Sequence, residues 1–406
     1  MKVLLVHKFF TIIGGAEVFF FEVGRVLEKN GHKVAYFSTI DAQNKPSYYS
    51  KYFVRAPEYR SDNPLKSMKS IVKIIYSLEA KKKFRQILLD FKPDVVHVFA
   101  IFTHISLSIL DVCHEMGVPV VMSCNDYKHI CPNSKLFHHG RLCEDCKNAK
   151  FYNAILTKCC QNSLVFSMGS SLEAYVHHTF NLLRKNVHTF LFASEFMAKK
   201  TEEFWGTNTF RWRKLQNPFD SSNYLPSQEY SNYFLFVGRL VEEKGVDILL
   251  KAMENLPKVN LILVGDGPDI DRLKKVAKKS RFKNIKFVGP KWGEALDLLL
   301  RKARFTVVPS IWHENFPYVI LQSFVAGKAV IGTDRGGIPE LIRDGEFGLI
   351  YAAQDHKMLA ESIEYLWEKP QLAFEMGKAA REYVVTEFSD QKFYENLVEI
   401  YKDVLK

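Results

Sequence analysis

Short apolar runs alternate with amphipathic stretches through the first half of the chain. Lys2 to Val6 reads as a strand, Ala16 to Asn30 as a helix stopped by Gly31, and Lys33 to Ser38, Asp94 to Phe99 and Val118 to Met122 as further strands. Strand–helix–strand wiring predicts a parallel sheet, because a crossover must carry the chain back between strands that run the same way. The pattern starts again at Tyr233 to Val237, with a helix from about Val246 and strands at Val259 to Val264, Ile285 to Val288 and Phe305 to Val308. An α/β protein with two Rossmann-like halves is therefore expected. Polar, proline-bearing sequence from Gln216-Asn217-Pro218 to Asn232 separates them, which sets an N-terminal domain at 1–218 and a C-terminal one at 219–387. The closing segment, 388–406, reads as an amphipathic helix with Phe393, Leu397, Ile400, Tyr401 and Leu405 on one face, expected to return to the N-terminal domain.

Composition narrows the class without changing this picture. A chain of 406 residues, 47% hydrophobic and 25% charged, is long enough for two cores of ordinary size. No apolar run reaches the roughly 18–20 residues that span a bilayer, and Met1 to Val6 is too short a run for a signal peptide, so a cytoplasmic location is expected. The formal charge of +11, from 56 basic and 45 acidic residues, favours a polyanionic partner or an anionic membrane surface. Nucleic acid is the weaker reading, since no helix-turn-helix, RNP-type or zinc-finger pattern accompanies the charge. A solvated lysine-rich surface is the plainer account.

Candidate chemistry sits in the turns after strands. Gly14-Gly15-Ala16-Glu17 opens the first helix, where paired glycines admit a ligand close to the backbone and the helix N-terminus supplies N–H donors; it is not GxGxxG, which disfavours a dinucleotide. In the corresponding turn of the second half, Gly238-Arg239 and Lys244-Gly245 place two cations five residues apart, suited to a pyrophosphate, with Arg239 forked and Lys244 a point charge. A solvated turn in which they pair with Glu242 and Glu243 is an equal alternative. Further on, Trp312-His313-Glu314-Asn315-Phe316-Pro317 leads into an apolar helix, Tyr318 to Ala326, ended by Gly327 and followed by a strand at Ala329 to Ile331. An acidic side chain beside a helix N-terminus, which itself favours anions, must contact something else, such as the hydroxyls of a sugar.

Taken in order, Gly-Gly-Ala-Glu, Val237-Gly238-Arg239-Leu240 with Glu243-Lys244-Gly245, Val264-Gly265-Asp266-Gly267-Pro268, Pro309-Ser310 with Glu314-Asn315-Phe316-Pro317, and Gly336-Gly337-Ile338-Pro339-Glu340 resemble the group 1, or family 4, retaining glycosyltransferases. The resemblance implies a GT-B fold, two Rossmann-like domains facing each other across a cleft. It implies a nucleotide-diphosphate sugar as donor and a polysaccharide, oligosaccharide or lipid-linked acceptor, in surface glycan biosynthesis at the inner face of the membrane. Arg239, Lys244 and Glu314 take the catalytic roles. Gly15, Gly238, Asn315, Phe316, Pro317, Tyr318, Val319 and Gln322 complete the donor site, and Gly14, Asn125, Asp126 and His97 lie on the acceptor side. No metal is required for catalysis, because Arg and Lys stabilise the departing diphosphate.

Two departures from the family pattern bear on this reading. Gln322 stands where the pattern has a second glutamate, and Asn125 stands where relatives read histidine before Asp126. Glutamine still hydrogen-bonds a ribose but carries no charge, and asparagine accepts no proton as a base. They motivate a non-enzyme alternative, a sugar-nucleotide-binding scaffold; a sugar-nucleotide epimerase on the same fold is a further one.

Two other clusters stand outside the donor motifs. Of seven cysteines, Cys131, Cys143, Cys146, Cys159 and Cys160 fall within an insertion at about 124–165; the C-x11-C-x2-C-x12-C spacing of Cys131, Cys143, Cys146 and Cys159 suits a structural zinc, against a null of buried thiols. Lys66, Lys69, Lys73, Lys81, Lys82, Lys83 and Arg85, interleaved with Met68, Ile71, Ile74, Ile75, Leu78 and Phe84, form a basic amphipathic stretch that suits an anionic leaflet or, with slight preference, a core-packed helix with a wet lysine face.

Overall fold

The computed structural model describes residues 1–57, 71–221, 224, 226, 230–279 and 283–406. Lys66, Met68 and Lys69 of the basic stretch lie outside the described residues. Two units form: one comprises Met1–Leu136, Glu144–Pro218 and Asp390–Lys406, the other Phe137–Cys143 and Phe219–Ser389.

In the first unit, β1 (Lys2–Val6), β2 (Lys33–Phe37), β3 (Val95–Val98), β4 (Val120–Cys124), β7 (Thr189–Phe192) and β8 (Trp212–Lys214) make one sheet in the order β2-β1-β3-β4-β7-β8. Every pairing is parallel. β3 and β4 are buried at every position, as strands covered on both faces must be, which is why they read as unbroken apolar runs rather than alternating ones. Helix α1 (Gly15–Lys29) buries Phe19, Phe20, Val23, Val26 and Leu27. The register sets Val6 opposite both Phe37 and Val98, so the turns that follow these strands emerge at one edge of the sheet. That edge is where open α/β sheets bind ligands.

The basic stretch is not one helix. Helical residues 71–75 are followed by a break and then by α2 (Leu78–Phe91), which Ser77 caps by accepting the Ala80 N–H at 3.1 Å. Ala80, Phe84, Ile87, Leu88 and Phe91 form its buried face, while Leu78, expected on that face, is exposed.

Further along the same unit, α3 (Tyr152–Thr157) and α4 (Leu164–Thr179) pack together, with the Ser171 hydroxyl donating to the Phe151 carbonyl at 2.9 Å. The C-terminal helix, Asp390–Val404, belongs to this unit: Arg25 makes a forked contact to Asp390 at 2.7 Å on each arm, and Phe393 meets Phe19 edge-on. Phe393, Leu397, Ile400 and Tyr401 are buried as the periodicity predicts, but Leu405 is exposed because the helix stops at Val404.

The second unit repeats the plan. Strands β9 (Phe234–Val237), β10 (Leu261–Val264), β11 (Ile285–Phe287), β12 (Thr306–Val308), β13 (Val330–Thr333) and β14 (Gly348–Tyr351) lie in the order β11-β10-β9-β12-β13-β14, all parallel. Helix α5 (Val246–Met253) follows β9, and α6 (Tyr318–Val325) joins β12 to β13. The short hairpin of β5 (Phe137–His138) and β6 (Arg141–Leu142), from within the cysteine-bearing insertion, groups with this unit; the Gln354 side-chain amide donates to the Gly140 carbonyl at 3.3 Å.

Candidate active site

The β1–α1 turn is organised by Glu17. Its Oε2 accepts the Gly14 N–H at 2.8 Å, the reach-back half of a capping box, and its Oε1 stands 3.7 Å from Nε2 of His7. His7 is fully buried at the end of β1, and its Nδ1 accepts the Phe9 N–H at 3.0 Å. Burial lowers its pKa to about 3, so the ring is neutral. A Cβ on Gly14 would meet nothing closer than Glu17 Oε2, at 3.7 Å, and the backbone there is extended, so packing does not demand glycine at this position. Neither His7 nor the role of Glu17 was read from the sequence. The acid three residues past Gly14 was the available signal for the second.

Of the acceptor-side set, Asn125 and Asp126 lie half-buried just past β4, where Asp126 Oδ1 accepts the Lys128 N–H at 2.9 Å and shapes the turn. His97 does not join them. It is fully buried in β3, with Nδ1 2.7 Å from the Tyr401 hydroxyl and Nε2 2.8 Å from the Ser123 hydroxyl, and its ring stacks on Phe99. Both ring nitrogens are used within the core and burial lowers the pKa to about 3, which favours a structural role for His97 over the acceptor-side one expected.

The cysteines likewise do not assemble the expected set. Cys131 donates to Asn133 Oδ1 at 3.0 Å, the Cys159 and Cys160 sulfurs are 4.0 Å apart, and Cys143 groups with the second unit whereas the other three group with the first. Among the described residues no three His, Cys, Asp or Glu side chains are gathered so that they could hold a metal ion, and no helix is long and apolar enough to cross a membrane. The zinc expectation therefore gains no support from the geometry.

In the second unit three loops at the carboxyl ends of the strands converge. The turn after β9 runs through Gly238 and Arg239 to a short 3-10 turn, Glu242–Lys244, and Gly245 begins α5 with φ +68°. A Cβ on Gly245 would fall 1.9 Å from the Pro309 carbonyl oxygen, so only glycine lets this turn lie against the loop after β12. Ile311 N–H donates to the Glu243 carbonyl at 3.0 Å and ties the same two loops. The loop after β13 closes on the other side. Gly336, φ +60°, brings its backbone within 2.1 Å, measured from a notional Cβ, of the Glu314 carbonyl oxygen, and Gly337 N–H donates to that oxygen at 2.6 Å. These contacts fix where Glu314 stands.

Its carboxylate is buried, 5% exposed, and receives the Lys244 ammonium at 2.5 Å and the Ser310 hydroxyl at 2.6 Å, both on Oε1. Burial pushes this carboxyl up, but the Lys244 charge and the hydrogen bonds from Lys244 and Ser310 outweigh it and hold the group below the ordinary carboxylate range. Glu314 is therefore an anion fixed in a dry setting. Lys244 also lies 5.7 Å from the Trp312 ring centroid. The alternative that Lys244 merely pairs with Glu242 or Glu243 is not what the structure shows. Arg239 is exposed and has no ion-pair partner among the described residues.

Pro317 is the N-cap of α6 and offers no side-chain acceptor to the first-turn amides. Glu314, Asn315 and Pro317 are buried, while Phe316, Tyr318 and Val319 are half-buried along the entry to that helix. Gln322 lies one turn into α6.

Comparison with known proteins agrees with this fold. Residues 13–223, more than half of the chain, match the model described as Glycosyltransferase Family 4, and residues 220–383 match Glycosyl transferases group 1. The chain belongs to this family and is a glycosyltransferase by class. An uncharacterized glycosyltransferase of Methanocaldococcus jannaschii is 31% identical over 173 residues, 43% of this chain, so that the match spans about half, 48%, of that relative. A 42.6 kDa protein of the Klebsiella pneumoniae cps region is 25% identical over 84% of this chain and 88% of its own length. Among solved structures, sucrose-phosphate synthase from Thermosynechococcus elongatus superposes with TM-score 0.72 at 18% identity, covering 99% of this chain and 98% of that one. Anabaena HepE, solved with UDP and glucose, gives TM-score 0.69 at 16% identity over 99% and 100%. At these identities the likeness establishes the fold, which is GT-B.

Proposed function

We propose that this glycosyltransferase moves a hexose-type sugar from a nucleotide-diphosphate sugar to a glycan or lipid-linked acceptor, with retention at the anomeric carbon, as a step of surface polysaccharide assembly at the cytoplasmic face of a membrane. The observation that carries the reading is the Glu314 carboxylate, held ionised by Lys244 and Ser310 where the strand-end loops of the second unit converge. A buried anion with a fixed orientation beside an uncapped helix start suits sugar hydroxyls and the phosphate behind them: the carboxylate accepts from the hydroxyls, and the first-turn amides donate to phosphate oxygens.

Each residue then has a task. Lys244 shares its ammonium with the diphosphate and Arg239 clamps it by a forked contact. Gly238 keeps the turn low, Asn315 and the Phe316–Val319 backbone border the sugar and phosphate, Pro317 leaves the helix start open, and Gln322 meets the ribose. In the first unit, Gly14 and Gly15 admit a ligand to the backbone, which fits the finding that packing does not require glycine at 14. Asn125 and Asp126 receive the acceptor. During transfer the bond from the anomeric carbon to the diphosphate oxygen breaks, the acceptor oxygen bonds to that carbon on the same face, and the acceptor proton passes to the departing phosphate oxygen. The cations stabilise the growing charge on the diphosphate, which is where preorganised electrostatics contribute most to rate.

Calorimetry with UDP, GDP and ADP tests the donor half. One nucleotide is expected to bind, and the double variant Arg239→Ala/Lys244→Ala to weaken it at least about a hundredfold, two charge-assisted contacts being lost. Unchanged affinity in that variant overturns the assignment. Donor turnover followed by proton NMR then reads the product anomer. Binding without turnover of any donor assigns the chain the scaffold role, a reading favoured by Gln322 and Asn125 in place of the family's glutamate and histidine.

A further inference from the structure

Two neighbouring helices of the first unit turn apolar faces to solvent. On α3, Tyr152 and Leu156, one turn apart, are 48% and 73% exposed. On α4, Leu164, Val165, Met168 and Leu172 are 47%, 63%, 52% and 49% exposed. Every exposed position of α4 from Leu164 to Leu172 is apolar, at the i, i+4, i+8 spacing that elsewhere in this chain faces a core. The helix's one acid, Glu173, is buried against Lys128 at 2.8 Å, so the outer face carries no negative charge.

Charge of one sign flanks this face. Between Lys147 and Leu172 the chain has three lysines and neither Asp nor Glu. Lys150 and Lys158 are exposed and have no acidic partner among the described residues. Helical residues 71–75 come against the same helix, with Ile71 Cγ1 3.9 Å from a notional Cβ on Gly169, and there Val72 is 60% exposed, while its neighbour Lys73 pairs with Glu79 at 3.6 Å. The basic face of α2 differs. Lys81 and Arg85 both pair with Glu115, and Lys83 pairs with Glu79, so those cations are largely neutralised within the chain.

We propose that the α3–α4 face docks onto a membrane surface bearing anionic lipid, its apolar side chains entering the headgroup boundary while Lys150 and Lys158 meet lipid phosphates. Contiguous exposed apolar residues rimmed by unpaired cations are the features that interfacial helices use to lie in a bilayer surface. A second copy of the chain is a poorer occupant. A twofold contact would set this face against itself and bring its lysines together with no acid to meet them. The inference rests on the functional reading only in supplying the surface on which a lipid-linked acceptor would be met, and its test is independent of catalysis.

The full-length protein is sedimented with phosphatidylcholine vesicles containing phosphatidylglycerol and with phosphatidylcholine vesicles alone. Binding is expected to the first and to fall at least about tenfold on the second, and also on raising salt, since the electrostatic part is screened. Met168→Glu and Leu164→Glu/Leu172→Glu, at exposed positions, should abolish binding with an unchanged circular dichroism spectrum and unchanged nucleotide affinity. Lys150→Glu/Lys158→Glu should reduce it on its own. Equal binding to both vesicle types, or binding indifferent to these variants, overturns the proposal, as does a dimer by light scattering that Met168→Glu dissociates. A protein that binds vesicles in this way but no nucleotide would sustain the docking face and sink the donor-site reading.

Discussion

The Lys244 ammonium stands 2.5 Å from the Glu314 carboxylate although 70 residues separate them in sequence. Each partner sits in a loop at the carboxyl end of a different parallel strand, and the pair exists because Gly245 lets one loop rest on Pro309 of the other. The ion pair is thus a product of sheet order, β9 beside β12, more than of either motif alone.

Lys244→Ala should lower kcat by about 10²–10³, the range seen when one preorganised donor to a developing charge is removed. It should also destabilise the second unit by about 3–5 kcal/mol, because Glu314 would remain buried with its cation gone. Steady-state kinetics and thermal unfolding, measured on the same preparation, read the two effects. Glu314→Gln in the Lys244→Ala background should recover stability without recovering kcat.

The depressed pKa of Glu314 gives stability a sign with pH. The unfolded carboxyl takes up a proton near its ordinary value of 4.5, where the folded one does not, so this contribution is complete above that pH and is lost as pH falls below it. Glu314→Gln should flatten that part of the stability curve below about pH 5, followed by urea unfolding at stepped pH.

A larger acid effect is expected in the first unit. His7, His97 and His129 are each lowered to about 3 by burial. Once unfolded they bind protons below about 6.5, so the folded state loses stability from there downwards, by about 2 kcal/mol per histidine at pH 5. The melting temperature should fall steeply between pH 7 and pH 5, and His97→Gln should make the fall shallower.

Tyr401→Phe removes the hydroxyl that meets His97 Nδ1 and leaves a buried ring nitrogen without its partner. The expected cost is about 1–3 kcal/mol. Because Tyr401 lies on the C-terminal helix, hydrogen exchange should quicken there first, ahead of the sheet.

Gly245→Ala should prevent the second unit from forming its native loops, since φ is +68° and a Cβ would overlap the Pro309 carbonyl oxygen at 1.9 Å. Gly345→Ala has a similar φ of +78° but open space around it, and should cost only about 1 kcal/mol. Comparing the two melting temperatures separates close approach from backbone strain.

The alternation of apolar runs and helical periods was enough to mark nine of the twelve strands described in the two sheets, because burial on both faces of a parallel strand writes itself into consecutive residues. Strands β7, β8 and β14 are not marked: Trp212–Lys214 is largely polar and Gly348–Tyr351 opens on a glycine, so neither shows a run, whereas Thr189–Phe192 is a short buried apolar run that the reading passes over. The basic stretch holds a core-packed helix, the preferred expectation, but its charge balance was not legible. Its spacing showed a lysine face but not that Glu115 and Glu79 would come to neutralise it. The α3–α4 face ran the other way, since helical spacing of Leu164, Met168 and Leu172 signals burial to a reader of sequence, yet the helix presents them to solvent.

By itself the sequence determined the two-sheet α/β plan, the glycine-bearing turns and the order of motifs by which the family is recognised, all of which depend on neighbours within a few turns of chain. Only the tertiary structure decided that Glu314 is an anion held by Lys244 and Ser310 and that His97 is locked between Tyr401 and Ser123. Those outcomes depend on which loops the strand order brings together and on how much water is left between them, and no local period encodes either quantity.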